Sequence, residues 1–297
     1  MKVTLATAPC SWGVWYPDGT PSGTHYTTFL DQATAAGYDA LELGPFGYLP
    51  NKIEELKREL EKRSLSVCSG TVCYAFDQIQ KLTHVKDELD QLCNLLQKLN
   101  ANYLVAMDES DVGQFSEKKE FISDELKAHY FQIIRDLADY TFKQYGIKTV
   151  FHPHIKSLFE YEVEIEKLIE KTQIDLCFDT GHHAYCNGGT KKGDRSALDF
   201  ILKYPESIAY IHFKNVEGAI RKRVVEEGLD SDQAFKMDVM CDLEDGIIDF
   251  NELKVVLEKI NYKGIGVIEQ DMPRATSDQA FAAAKRNLNF LKRIGIV

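Results

Sequence analysis

The chain has 297 residues, 44% hydrophobic and 27% charged, and its 35 basic and 46 acidic side chains give a formal net charge of −11. Such a composition excludes a long disordered tail, a collagen-like repeat and a disulfide-dense mini-protein. The acidic balance argues against nucleic acid and anionic membrane as partners, because both are bound by basic faces.

Short β-rich runs and helical stretches alternate along the whole chain. Residues 2–10 (KVTLATAPC) predict a first strand, followed by a helix over 24–36 that Gly37 closes. Strands are predicted over 39–44, 65–72, 102–108, 147–154, 174–181, 207–213 and 264–271. Helices are predicted over 51–63, 81–99, 121–144 (carrying Phe121, Leu126 and Ile133), 159–171, 194–203 and 277–293, and one more begins at Asp249. Glu252 stands three residues after Asp249, the spacing of a capping box. Strand runs such as TVF, LCF and GVI are apolar on both faces, as in a parallel sheet covered by helices. Eight β-α repeats predict an α/β fold, a (β/α)8 TIM barrel, with residues 1–297 as a single domain. An open doubly wound sheet is the alternative, but no G-x-G-x-x-G follows the first strand. Residues 214–248 make an insert after strand seven, far longer than the roughly 2–6 residues of ordinary βα loops. Such an insert reads as a lid or active-site element, or otherwise as a surface hairpin.

Seven cysteines form no C-x-x-C and mostly sit in apolar surroundings, so they read as buried reduced thiols. The N-terminus lacks the apolar core of a signal peptide, and no stretch approaches the ~18 apolar residues of a membrane span. The expected location is the cytoplasm.

Active sites of (β/α)8 barrels lie at the C-terminal strand ends. Glu42, Asp108, His152, His154, Asp179, His182, His183, His212, Lys214, Glu269 and Asp271 all fall there. Five of the eight histidines lie between residues 152 and 212, at strand ends; His25, His84 and His129 read as surface. A single histidine at a strand end is ordinarily just hydrogen-bonded. Four converging ionisable groups are costly to bury without a shared purpose. His152, Asp179, His212 and Glu269 therefore form a candidate ligand set for one divalent ion, and imidazole with carboxylate suits Mn²⁺, Co²⁺, Fe²⁺ or Zn²⁺.

The motifs APCSWGVWYP (8–17), LELGPFGYLP (41–50), FHPH (151–154), FDTGHHAY (178–185), IHFKN (211–215) and LEDGIIDF (243–250) carry a family resemblance. The chain resembles the xylose isomerase-like barrels of sugar isomerases and epimerases, most of all the inosose dehydratase-like branch. The resemblance implies the same four metal ligands and one divalent ion, Mn²⁺ or Co²⁺ first, with Zn²⁺, Fe²⁺ or Mg²⁺ as alternatives. It implies a small polyol or keto-sugar substrate, and a homo-oligomer is compatible with it. Many epimerases have glutamate where His152 stands; dehydratase relatives carry a histidine two residues on, the place of His154, which looks like a catalytic base. Lys156-Ser157 departs from a frequent Gly-Thr, and Leu243-Glu244-Asp245-Gly246 from a usual Leu-Gly-x-Gly.

The expected reaction is loss of water from a cyclic β-hydroxy ketone. His154 removes the α-proton, His182 or Glu42 supplies the acid, and Lys214 polarises a substrate oxygen. Trp12, Trp15 and His183 are expected to contact substrate. A ketose isomerase or epimerase on the same site is the alternative reaction. A non-catalytic sugar-binding barrel would have little use for the retained ligand set. A DNA-repair nuclease of the endonuclease IV kind would need a metal cluster and a basic groove.

Overall fold

The computed structural model describes residues 1–110 and 123–297. Phe121, expected on the fourth helix, lies outside the described residues. The barrel strands are β1 (Lys2–Thr7), β2 (Ala40–Glu42), β3 (Ser66–Tyr74), β4 (Tyr103–Asp108), β5 (Lys148–His152), β6 (Leu176–Asp179) and β7 (Ile208–Phe213). Two short strands follow, β8 (Asn215–Val216) and β9 (Met240–Cys241), and then the last barrel strand, β10 (Lys263–Ile268). The eight barrel strands are all parallel, and β1 closes the ring by pairing with both β10 and β2.

Period-two alternation along the strands builds two cores. Val150, Cys177, Tyr210 and Val267 belong to a small cluster inside the barrel, together with Ala6 and Val105. Phe151, Phe178, Ile211 and Ile268 alternate with them and join the larger core between strands and helices. Two residues beyond the inner set come His152, Asp179, His212 and Glu269, all buried on the inner face at the top of the barrel. The same pleat that fills the barrel with apolar groups thus aims the ionisable ones at its mouth.

The helices that cover the strands are amphipathic. α1 (Tyr26–Ala36) buries Phe29, Leu30, Ala33 and Ala36 and ends at Gly37, whose φ of 104° suits glycine. α2 (Ile53–Glu61) and α3 (Lys86–Lys98) follow β2 and β3. α4 (Asp124–Tyr145) is capped by Ser123, which accepts from the Leu126 amide, and buries Tyr130, Ile133, Ile134 and Leu137 at helical spacing. α5 (Glu162–Thr172) follows β5.

One helix was not expected from the sequence: α6 (Thr180–Asn187) follows β6 directly, and α7 (Ser196–Lys203), near the helix expected over 194–203, comes only after it. Asp179 ends β6 and caps α6 at once, its Oδ1 accepting from the His182 amide at 2.8 Å. Gly181 is required there, because a Cβ would stand 2.7 Å from Lys214 Cγ. Short polar helices of this kind lack a periodic apolar signal and depend on what they pack against.

The insert folds into α8 (Gly218–Glu227) and α9 (Ser231–Lys236) above the β8–β9 pair. Arg221 is buried and donates to Tyr185 O, while Arg223 pairs with Glu227 one turn on. Asp242 and Glu244 pair with Arg286 and Arg293 on α11 (Ser277–Ile294). The insert is tied to the barrel mouth by Lys156–Asp232 at 2.8 Å and by Trp15 edge-on against Phe235.

Asn215 pins its base. The fully buried Asn215 amide donates to Leu243 O and Ile248 O and accepts from the Val216 and Ile248 amides. Gly246 is needed beside it, since a Cβ there would collide with the Asn215 side chain. Asn215→Ala leaves several buried backbone groups unpaired and is expected to cost about 3 kcal/mol of stability, read from the denaturation midpoint.

α10 (Phe250–Lys259) begins where expected, with Asp249 as its cap, but without the capping box. Asp249 accepts from the Asn251 amide, and Glu252 reaches out to Arg195 at 2.5 Å instead. Capping boxes occur at Asp230/Gln233 and Thr276/Gln279. None of the seven cysteines is in a disulfide. Among the described residues, no helix is long and apolar enough to cross a membrane.

Candidate active site

The ends of β2, β5, β6, β7 and β10 bring Glu42, His152, Asp179, His212 and Glu269 to one buried locus. Asp179 lies directly opposite His212 in the β6–β7 register, and Val267 opposite His212 in β7–β10. His212 bridges two carboxylates: Nδ1 is 3.1 Å from Glu269 Oε2, and Nε2 is 3.2 Å from Glu42 Oε1. The rings of His152 and His212 are 4.9 Å apart.

Lys214 is 1% exposed and stands at the centre of the acidic groups. Its Nζ lies 3.0 Å from Asp179 Oδ2, 3.1 Å from Glu269 Oε2 and 2.8 Å from Asp271 Oδ2. His182 Nε2 is 3.1 Å from the same Nζ. Burial opposes charge on Lys214, yet Asp179, Asp271 and Glu269 raise its pKa well above the ordinary value. Burial likewise opposes charge on His212, and Cys177, Glu269 and Glu42 more than reverse it. Burial alone would raise the Glu269 pKa, but His212 and Lys214 hold it well below the ordinary range. His212 and Lys214 are thus the positive charges that balance the carboxylates in this arrangement.

His152 and His154 behave in the opposite way. Burial, followed by the neighbouring imidazoles, lowers the pKa of His152 well below the usual value. Burial and His182 bring that of His154 to about 3. His154 Nδ1 lies 2.8 Å from Ile155 O. A carbonyl can only accept, so Nδ1 carries the hydrogen and Nε2 is left with its lone pair.

A divalent ion fits these residues. Asp179 Oδ2 and the Nδ1 atoms of His182 and His212 are buried without a hydrogen bond of good geometry, although Lys214 Nζ is 3.0 Å from the first and Glu269 Oε2 3.1 Å from the last. Ligand atoms of Glu42, His212 and Glu269 lie within 4.8 Å of one another. Imidazole and carboxylate on rigid strand ends are the donor chemistry of Mn²⁺, Co²⁺, Fe²⁺ and Zn²⁺ sites.

Glu42 sits behind His212. Its Oε1 accepts from Ser69 Oγ at 2.9 Å, Tyr210 OH at 2.7 Å and His212 Nε2 at 3.2 Å. Three donors thus converge on one oxygen of Glu42, the residue expected beside His182 as a candidate acid. Ser69 and Tyr210 were missed in the sequence. The signal for Tyr210 was its place two residues before His212, on the same face of β7.

Two expected substrate contacts are corrected. Trp12 is fully buried in a short 3₁₀ turn, edge-on to Phe29, and its Nε1 donates to Gln32 at 2.7 Å. Its ring is core between the barrel and α1. His183 follows His182 by about 100° around α6. It therefore packs between Phe178 and Phe200, with centroids at 5.0 and 4.9 Å, rather than toward the barrel axis. Trp15 remains at the rim, 36% exposed. Of the three histidines read as surface, His25 and His84 are exposed, whereas His129 is half-buried with Nε2 2.7 Å from Ile79 O.

Burial lowers the His183 pKa to about 4, and neither ring nitrogen has a partner. A depressed imidazole pKa favours the folded state above the unfolded value of about 6.5, and that contribution fades as pH falls toward 4. His183→Phe is expected to lose about 1–3 kcal/mol less stability than the native chain between pH 6.5 and 4, by parallel denaturant titrations.

A parallel eight-strand barrel with imidazole and carboxylate groups at its C-terminal mouth defines the class. The model of the xylose isomerase-like TIM barrel family matches residues 30–294, and the chain belongs to that family. The inosose dehydratase of Bacillus velezensis is 27% identical over 286 residues, covering 90% of this chain and 91% of that protein. The inosose dehydratase of Histophilus somni is 28% identical over 301 residues, covering 96% and 95%. Among solved structures, the IolI protein with a bound zinc atom is similar in fold, with a TM-score of 0.71 at 15% identity over 100% of this chain and 99% of the other.

Proposed function

We propose that the protein is a divalent-metal-dependent dehydratase of a cyclic or sugar-like β-hydroxy ketone, of the inosose kind. The observation that carries this reading is His154: a buried, uncharged imidazole with a free Nε2, set beside an N/O donor set at the barrel mouth. Relatives named inosose dehydratase, aligned over nine-tenths or more of the chain, support the same reaction class.

His152, Asp179, His212 and Glu269 would hold the ion, which when bound supplies Lewis acidity toward a ketone oxygen. The chain's own groups do the rest. His154 Nε2 takes the proton α to the ketone. Lys214, anchored by Asp271 at 2.8 Å, donates hydrogen bonds to a substrate oxygen. His182, within reach of both Lys214 and Asp271, hands a proton to the departing hydroxyl. Glu42, Ser69 and Tyr210 hold His212 in orientation. Trp15 at the rim and the docked insert limit access of water to the mouth.

Incubation with an inosose separates this reading from its isomerase alternative. A dehydratase yields an unsaturated ketone with a new ultraviolet band. Exchange of a substrate proton with solvent and no new chromophore would make the protein an isomerase or epimerase instead.

A further inference from the structure

Three histidines at the barrel mouth form a cluster beside the carboxylates, with His182 Nδ1 3.6 Å from Asp179 Oδ2 and Nε2 3.4 Å from Asp271 Oδ2. His152 and His154 stand two residues apart at the end of β5, and His182 lies on the first turn of α6. One ring nitrogen of each lies within 4.8 Å of the other two. The His154–His182 centroids are 4.5 Å apart, His152–His182 5.3 Å and His152–His154 5.4 Å. Backbone carbonyls fix two of the rings. His152 Nδ1 is 3.2 Å from Cys177 O and His154 Nδ1 2.8 Å from Ile155 O, so Nε2 of each keeps its lone pair. An imidazole whose Nδ1–H is tied to a carbonyl is the usual oriented ligand of a metal site. The third ring, His182, is 2% exposed, and its Nδ1 has no hydrogen-bond partner.

The geometry points to a second cation site in this chain, His152–His154–His182, that takes a borderline-soft divalent ion such as Zn²⁺. Three imidazoles select zinc over manganese or magnesium, which the oxygen-rich Asp179, His212 and Glu269 favour; His152 belongs to both sets, and its single Nε2 lone pair serves one ion at a time. Zinc at about 2.1 Å from each nitrogen needs the donors about 3.4 Å apart, so the rings close by a side-chain rotation. Such an ion consumes the His154 and His182 lone pairs. On the dehydratase reading above, zinc at this site therefore inhibits an enzyme that manganese activates.

The test is calorimetric titration of Zn²⁺ and of Mn²⁺ into the metal-stripped full chain, native and His154→Gln, with zinc-edge anomalous diffraction from native crystals soaked in Zn²⁺. Zinc affinity is expected to fall roughly tenfold or more in His154→Gln while manganese affinity stays unchanged. The anomalous peak is expected among the three rings, with or without a second one at the carboxylates. Unchanged zinc affinity in the variant, or a zinc peak only between Asp179 and Glu269, overturns the site. The diffraction arm decides the matter on the native chain should the variant fail to fold. Failure of the manganese-loaded protein to dehydrate an inosose would sink the proposed function and leave the zinc result standing.

Discussion

Protein stripped of divalent ions by a chelator is expected to turn over an inosose at least about 10³-fold more slowly than the manganese-loaded protein. Lewis-acid stabilisation of developing charge is worth several kcal/mol, and each 1.4 kcal/mol is about a factor of ten. Mn²⁺ or Co²⁺ should restore the rate. Asp179→Asn should abolish that restoration, because Asp179 is both a candidate ligand and the cap of α6. Metal uptake has to compete with the proton that Glu42, Glu269 and Cys177 stabilise on His212 against its burial. Apparent affinity should therefore rise with pH, and binding should release protons to the buffer. Full turnover by a sample shown to be metal-free would refute metal dependence outright.

His154→Gln is expected to lower kcat by roughly 10²–10⁴-fold, the ordinary contribution of a positioned general base, with a smaller change in KM. Burial and His182 hold the His154 pKa down to about 3. The base is then unprotonated throughout the neutral range, and its ionisation should leave no acidic limb near pH 6.5 in the native rate profile. A limb at that pH that vanishes in His154→Gln would mean that the ring is more hydrated than its surroundings indicate. Full turnover by His154→Gln would move the base elsewhere. Lys214→Met separates the roles further: it removes the donor to the substrate oxygen while leaving the His154 lone pair in place.

The long amphipathic helices were legible because their signal is local. Ser123, the buried positions of α4 and the closing glycine all stand in a single stretch of chain. The four candidate ligands were legible for a related reason. Each sits two residues beyond an apolar residue that faces the barrel interior, so strand period alone puts it at the mouth. Helix α6 was hidden, because its eight residues carry no apolar stripe and it packs through Gly181 against Lys214, just beyond the end of β7. The capping box at Asp249 failed because Glu252 found Arg195, 57 positions away.

From the order of residues alone came the eight-fold β-α alternation, the insert at 214–248 and the set His152, Asp179, His212 and Glu269. Those are consequences of periodicity and of position along a strand, which one segment carries by itself. Only the tertiary structure decided that Trp12 and His183 are core, that Glu42 meets His212, and that Lys214 stands among three carboxylates. Those are consequences of which strand ends and helices face one another across the closed barrel. Burial there strips away water, so each charged group must take its partner from a distant part of the chain.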